Sequence, residues 1–364
     1  MRVLGVDEAR QILLSAAFPA TRSAAQVLDR LGCIQLDPID RIGSNPDLVL
    51  HARVPRVRRG DWAALQGFEH FAKERCLLPM RALPYYQQQS VSTPWWRLGE
   101  RWKRLDPGLI EAVYQEVVDR GSVTSAELSD HGAVRPLDWH GWRSTAKAGS
   151  LALEALWIRC RVICQGRRGG QRVYRMPPEG LPRPDEAYHR WALRERVRVA
   201  GLLSLNSGPW WSSLAGVRRG PHDDEALETV QIEGARGLWL TLREPRRDWT
   251  PDRRLRVLGP LDPLIWNRAL VQHLWGFEYV WEVYKPAAKR RWGYYVCPLL
   301  WRGGFVGRLE ARRSAEGLEL MQLWGSPPKA ALRDALQRLT SLQKVRSTTT
   351  STSSLTDRAP SSAE

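Results

Sequence analysis

Between residues 107 and 176 the chain spells out a unit that leaves little choice of fold. Ile110, Val113, Tyr114 and Val117 recur at the spacing of one helical face, and Gly121 stops that helix. Thr124 followed by Glu127 forms a capping box, which opens a short helix at Ser125–Asp130. A third helix covers roughly Trp142–Arg159, with Ala148, Leu151, Ala152, Ala155 and Leu156 facing in. A hairpin follows: Val162–Gln165, a turn at Gly166–Gly170, then Gln171–Met176. Three helices and a two-stranded wing make a winged helix-turn-helix. Arg167, Arg168 and Arg172 fall at the tip of the wing, where nucleic-acid phosphates would be met. Such units also mediate contacts between proteins, so this pattern alone leaves both kinds of partner open.

Upstream, residues 5–31 read as two short helices. Asp7 caps the first, whose stripe is Ala9, Ile12, Leu13 and Ala16; Ser23 with Gln26 boxes the second, which Gly32 ends. An extended segment follows, Gly32–Asp40, in which Cys33, Gln35 and Asp37 alternate with Ile34 and Leu36. Pro38 keeps Asp37 extended. Gln35 and Asp37 therefore point the same way, away from the apolar face. An amide and a carboxylate side by side suit hydrolysis of an N-glycosidic bond; a half-exposed strand with two ordinary polar residues fits the same letters. Arg41–Asp47 reads as a loop, Leu48–Val54 and Asp61–Leu65 as helical, and Phe68–Pro79 as an amphipathic helix crowded with Glu69, His70, Lys73, Glu74 and Arg75.

Charge says more about partners than about fold. Lys plus Arg number 55 against 39 Asp plus Glu, a net charge of +16, and Arg far outnumbers Lys. With 18 Trp, the chain is supplied with phosphate forks and stacking surfaces. A polyanion is the expected partner, nucleic acid before a membrane surface. Five cysteines, at 33, 76, 160, 164 and 297, include no Cys-x-x-Cys pair. No structural zinc and no disulfide framework are expected, and the compartment is a reducing cytoplasm. Asp7 and Glu8 precede any apolar run, which argues against a signal peptide, and no stretch has the length of a membrane span.

Residues 85–107 are aromatic and basic; residues 183–254 begin with a helix, Glu186–Leu203, and hold a strand at Gly237–Leu242. From Leu255 the pattern turns to strands at Tyr279–Tyr284, Tyr294–Leu300, Phe305–Arg312 and Leu318–Leu323, an antiparallel meander that fits a small barrel. A basic aromatic loop with Lys289, Arg290 and Arg291 lies between the first two. Pro328–Lys344 reads as a last helix and Ser347–Glu364 as a disordered Ser/Thr-rich tail. The expected class is α+β: winged helix-turn-helix units over 1–84, 85–182 and, less well patterned, 183–254, a barrel over 255–328, a helix over 329–346 and a tail over 347–364.

Taken together, Gly32–Asp40, Phe68–Pro79, Gln171–Tyr174, Leu261–Asn267 and Pro286–Tyr295 make the chain similar to a known family. It resembles the YcaQ-like winged-helix DNA glycosylases, the AlkX/AlkZ group that excises N7-alkylguanines and unhooks interstrand crosslinks. The resemblance implies tandem winged helices closed by a C-terminal barrel around a basic channel for double-stranded DNA, no cofactor, and a monomer associated with the nucleoid. It also implies that Gln35-Leu36-Asp37 is the Gln-x-Asp form of the catalytic motif, with Gln35 and Asp37 catalytic. Asn45, Lys73, Arg167, Arg168, Arg172, Lys289, Arg290 and Arg291 are then the expected DNA contacts. The chain departs from the family where Asn45-Pro46-Asp47 and Phe71-Ala72-Lys73-Glu74 stand in place of segments with histidine. Lys73 there would permit Schiff-base lyase chemistry. A regulator or architectural protein that binds DNA without cutting any bond is the reading from another class; a protein-binding scaffold is the third.

Overall fold

The computed structural model describes residues 1–343 apart from 73, 93–104, 135–145, 207, 212–213, 219–221 and 316. A three-residue strand β1 (Arg2–Leu4) leads into helix α1 (Val6–Ala17). Gly5, not Asp7, is its N-cap; Asp7 lies in the first turn and pairs with Arg10 at 2.8 Å, favourable toward the helix dipole. Helix α2 (Ala24–Leu31) is capped by Ser23, which accepts from the Gln26 N–H at 3.3 Å, while Gln26 reaches back to the Arg22 N–H at 2.8 Å. Gly32 closes α2 in the left-handed conformation (φ 66°), and a Cβ there would meet Glu195 and Val199 at 2.8 and 3.0 Å.

The extended segment supplies β2 (Ile34–Gln35), and helix α3 (Asn45–His51) follows. The expected loop over 41–47 is shorter than its letters implied. Ser44 and Asp47 cap each other's backbone, so Asn45, Pro46 and Asp47 form the first helical turn. The run 68–79 is not a helix. It is a hairpin of β3 (Gly67–Phe71) and β4 (Arg75–Pro79), paired from Gly67↔Pro79 to Phe71↔Arg75, with β2 on the other side of β4. Both faces of this hairpin are covered: Cys76 and Leu78 enter one apolar cluster with Phe68, and Leu77 enters another with Ile34 and Leu36. A strand buried on both sides reads as a continuous apolar run, which periodicity does not separate from a helix. Helix α4 (Leu83–Ser92) follows, and most of the basic aromatic segment after it lies outside the described residues.

Helix α5 (Pro107–Arg120) is capped by Asp106, whose carboxylate accepts the Leu109 N–H at 3.1 Å, and ends at Gly121 before β5 (Ser122–Val123). The expected helix at 125–130 is a single turn. Glu127 caps the Thr124 N–H at 2.7 Å as foreseen, but the next groups are taken by α5: Arg120 donates to the Glu127 carbonyl at 2.6 Å and Glu116 accepts from the Ser129 N–H at 2.9 Å. Helix α6 (Ala148–Ile158) is the inner part of the expected third helix; residues 142–145 lie outside the description. The first hairpin strand, β6 (Ile163–Arg168), runs three residues further than expected, and it closes on β7 (Gln171–Arg175) through Gly169-Gly170, both at positive φ. Arg167 therefore sits inside a strand, opposite Arg172. Through the pair Glu69↔Cys164 the hairpin joins the earlier strands, giving one six-stranded sheet in the order β2-β4-β3-β6-β7-β5.

Helix α7 (Tyr188–Ala200) is followed by β8 (Leu203–Ser204), β9 (Leu227–Ile232) and β10 (Trp239–Leu242). With β1 they make a four-stranded sheet, β1-β9-β10-β8, in which Arg2 pairs in parallel with Val230. The last part comprises β11 (Arg256–Val257), α8 (Arg268–Trp275), β12 (Val296–Trp301), β13 (Gly304–Ser314), β14 (Gly317–Gly325) and α9 (Lys329–Leu342). The expected strand Tyr279–Tyr284 does not form. Arg256–Val257 already occupies the edge of β12, and Tyr279 is held side-on, its hydroxyl donating to the Val296 carbonyl at 2.7 Å. Among the described residues this sheet is an open antiparallel one, β11-β12-β13-β14, not a closed barrel. No helix among them is long and apolar enough to cross a membrane, and residues 344–364, which include the expected tail over 347–364, lie outside the description. The architecture is α+β.

Candidate active site

Two polar side chains on β2 and the residues after it were expected to face the same way, and the sheet separates their fates. Gln35 is buried, 6% exposed, and does not line the cleft that Asp37 lines. Packing covers both sides of β2: Cys33 belongs to the apolar cluster with Phe68, whereas Ile34 and Leu36 belong to the other. The Gln35 carbonyl accepts from Asn45 Nδ2 at 2.7 Å, which ties β2 to the first turn of α3. Asn45 is itself buried, 1% exposed, so its place is behind the strand and not at the surface.

Asp37 lies just beyond the ladder and is half-buried. Burial raises its carboxyl above the ordinary range, and the Ile39 N–H, which Oδ1 accepts at 2.9 Å, offsets part of that. Among the described residues it has no ion-pair partner. It lines a cleft of about 270 Å³ together with Pro38, Ser44, Pro46, Trp62, Arg75, Arg167 and Arg172.

The arginines have another carboxylate. Glu69, in the middle of β3 and 1% exposed, is bonded to Arg167 and lies 3.8 Å from Arg75 Nε and 3.7 Å from Arg172 Nε. Aromatic rings brace two of them: Arg167 over Trp62 at 5.2 Å and Arg172 over Trp157 at 5.4 Å, while Trp157 Nε1 donates to the Glu69 carbonyl at 2.7 Å. Three guanidiniums share one buried carboxylate, so the cleft wall keeps a surplus of positive charge beside an unpaired Asp37. Burial depresses His70, the neighbour of Glu69 in β3, to about 4, so it is not a cation at neutral pH.

Arg168, in the same hairpin, turns the other way and pairs with Glu127 at 2.8 Å and Ser122 at 2.8 Å. The basic loop stands near the site through Tyr295, whose hydroxyl is raised by burial first and, further down, by Asp37 and Asp40. Within it Arg290 stacks on Tyr294 at 4.9 Å, Arg291 pairs with Glu278 at 3.1 Å, and Lys289 is exposed. Lys73 lies outside the described residues. Sequence reading did not single out Glu69, Arg75 or Trp62 as site residues. An acid lying between Phe68 and Phe71 was the available signal, hidden by reading the run as an amphipathic helix. No group of three or more His, Cys, Asp or Glu among the described residues is placed to hold a metal ion.

A family model described as DNA glycosylase AlkZ-like matches residues 28–342. The chain belongs to the AlkZ-like DNA glycosylase family. As a member, the protein is a hydrolase of N-glycosyl bonds. The solved structure of Streptomyces sahachiroi DNA glycosylase AlkZ aligns with 92% of the glycosylase described here and 96% of its own chain, at 17% identity and a TM-score of 0.54. At that identity the match speaks for the shared fold.

Proposed function

We propose that the glycosylase releases N7-alkylated guanine from double-stranded DNA, including guanine held in an interstrand crosslink, with Asp37 as the catalytic carboxylate. One observation carries this reading: Asp37 is a half-buried carboxylate without a cation partner among the described residues, in a cleft whose wall carries three arginines. Alkylation at N7 makes guanine cationic and a good leaving group, so little acid catalysis is needed. The carbon–nitrogen bond breaks with both electrons going to the base, which departs neutral. The sugar left behind is an oxocarbenium-like cation. The Asp37 carboxylate stabilises that charge and takes a proton from the water whose oxygen bonds to the sugar carbon. In this arrangement Gln35 supports the reaction from behind, through the strand that Asn45 pins.

Phosphates are the task of the cations. Arg167 and Arg172 on the cleft, together with Lys289, Arg290 and Arg291 of the basic loop and Arg168 on the other side of the hairpin, make up the proposed DNA contacts on a protein that acts as a monomer, with winged-helix units framing the duplex. The decisive experiment is Asp37→Asn on duplex DNA containing N7-methylguanine, read as released base and as alkali-dependent strand breaks. Loss of release by about a hundredfold or more with binding retained is expected; release at the wild-type rate would show the assignment to be wrong.

A further inference from the structure

We propose that Glu69 is a positioning residue for base release: its buried carboxylate collects Arg75, Arg167 and Arg172 on the cleft wall and so keeps them from pairing with Asp37. This rests on the glycosylase reading of Asp37. Asp37 and three guanidiniums line one cleft, yet each of the three is within 4 Å of the buried Glu69 and none is paired with Asp37. Glu69 is the better-placed competitor because it is fixed. It is held in the centre of the sheet, with its backbone carbonyl bound by Trp157, whereas Asp37 lies past the end of β2. A guanidinium gains more from a carboxylate in a low-dielectric site than from one at the rim.

The consequence is a division of charge. The arginines remain near the cleft with a net positive surplus for the DNA backbone, and Asp37 keeps a full, unshared charge for the sugar cation. The other charged and titratable groups around Asp37 leave this balance in place. Tyr295 approaches from the residues before β12; Asp40 on the same segment is occupied by Arg59 and Arg313; Asp47 is occupied by Ser44 and by the Gly60 N–H.

Neutralising Glu69 should hand an arginine to Asp37. The test is single-turnover release of N7-methylguanine across pH for wild type, Glu69→Gln and Glu69→Asp, each checked for folding by its unfolding temperature. In Glu69→Gln the acid limb should move down by about one to three pH units, the effect of a cation brought beside a carboxylate. The rate at neutral pH should fall about tenfold as Asp37 becomes a weaker base. Glu69→Asp, which keeps the charge, should restore the wild-type limb. A folded Glu69→Gln protein whose limb stays at the wild-type pH would overturn the proposal. Should that variant not fold, Glu69→Gln combined with Arg167→Gln removes the closest pair as a neutral unit and still frees Arg75 and Arg172. Its limb must also move down, and an unmoved limb overturns the proposal equally. A wild-type protein that releases no base at any pH sinks the N7-guanine reading and this proposal together; release with unmoved limbs sinks only this one.

Discussion

Asp37 is asked to be charged where burial disfavours charge. A carboxyl raised in the folded state binds more protons there than in the unfolded chain, so its contribution to stability is full below the unfolded pKa and is lost as pH rises through the folded pKa. At neutral pH the ionised group is therefore a liability to the fold. Asp37→Asn should unfold at the same or a higher temperature than wild type at pH 7, with the difference vanishing at acid pH, as thermal scans at several pH values would show. The same shift sets the catalytic profile: base release should rise with pH through an inflection above the ordinary carboxylate range. A profile flat down to pH 4 would remove Asp37 as the titrating base. Arg172 faces the cleft from the hairpin and is proposed as a phosphate contact: Arg172→Ala should weaken binding to all DNA sequences alike and flatten the salt slope by about one unit, measured by titration at several salt concentrations.

At the scale of elements, the short helix α3 does the work of a brace. Its Asn45 holds the Gln35 carbonyl in a buried hydrogen bond, and loss of one partner leaves the other unsatisfied. Asn45→Ala should cost about 1–3 kcal/mol in urea unfolding and slow base release while leaving DNA affinity unchanged. The role was not readable from the letters, because Asn-Pro-Asp is a loop signal until Ser44 is seen to close a capping box with Asp47. Helices with one wet face, such as α1, α2, α5 and α9, were legible because an apolar stripe at helical spacing has few other meanings. The hairpin of β3 and β4 was not, because burial on both faces erases the alternation that marks a strand. That single misreading also concealed Glu69 and Arg75, and with them the electrostatics of the site. Gln35 and Asp37 were singled out by motif and alternation, but alternation could not say that the face under Gln35 is covered. Strand β1 had no local signal: three residues become a strand only because β9 is there to pair with them.

The whole molecule is tied together by contacts distant in sequence. Arg53, at the end of α3, meets Asp262 through two bonds of 2.7 and 2.9 Å with both side chains buried, and Asp262 also accepts the Leu264 N–H at 3.0 Å. Removing one member leaves a buried charge alone, so Asp262→Ala should cost about 3–5 kcal/mol in denaturant unfolding. The six-stranded sheet crosses the boundary expected near residue 84, since β3 from the first segment pairs with β6 from the second. That pairing sets a timetable for synthesis. A ribosome that has released the Gln-x-Asp segment has not yet made its outer neighbours, for β6 and β7 arrive only with residues 163–175. Until then β3 is an open edge, and β1 waits longer still, for residues 227–232. The nascent chain thus carries Asp37 and Arg75 long before Arg167 and Arg172, which complete the cleft wall. A chain stalled between these points presents an unpaired strand to its neighbours and cannot yet assemble its cleft.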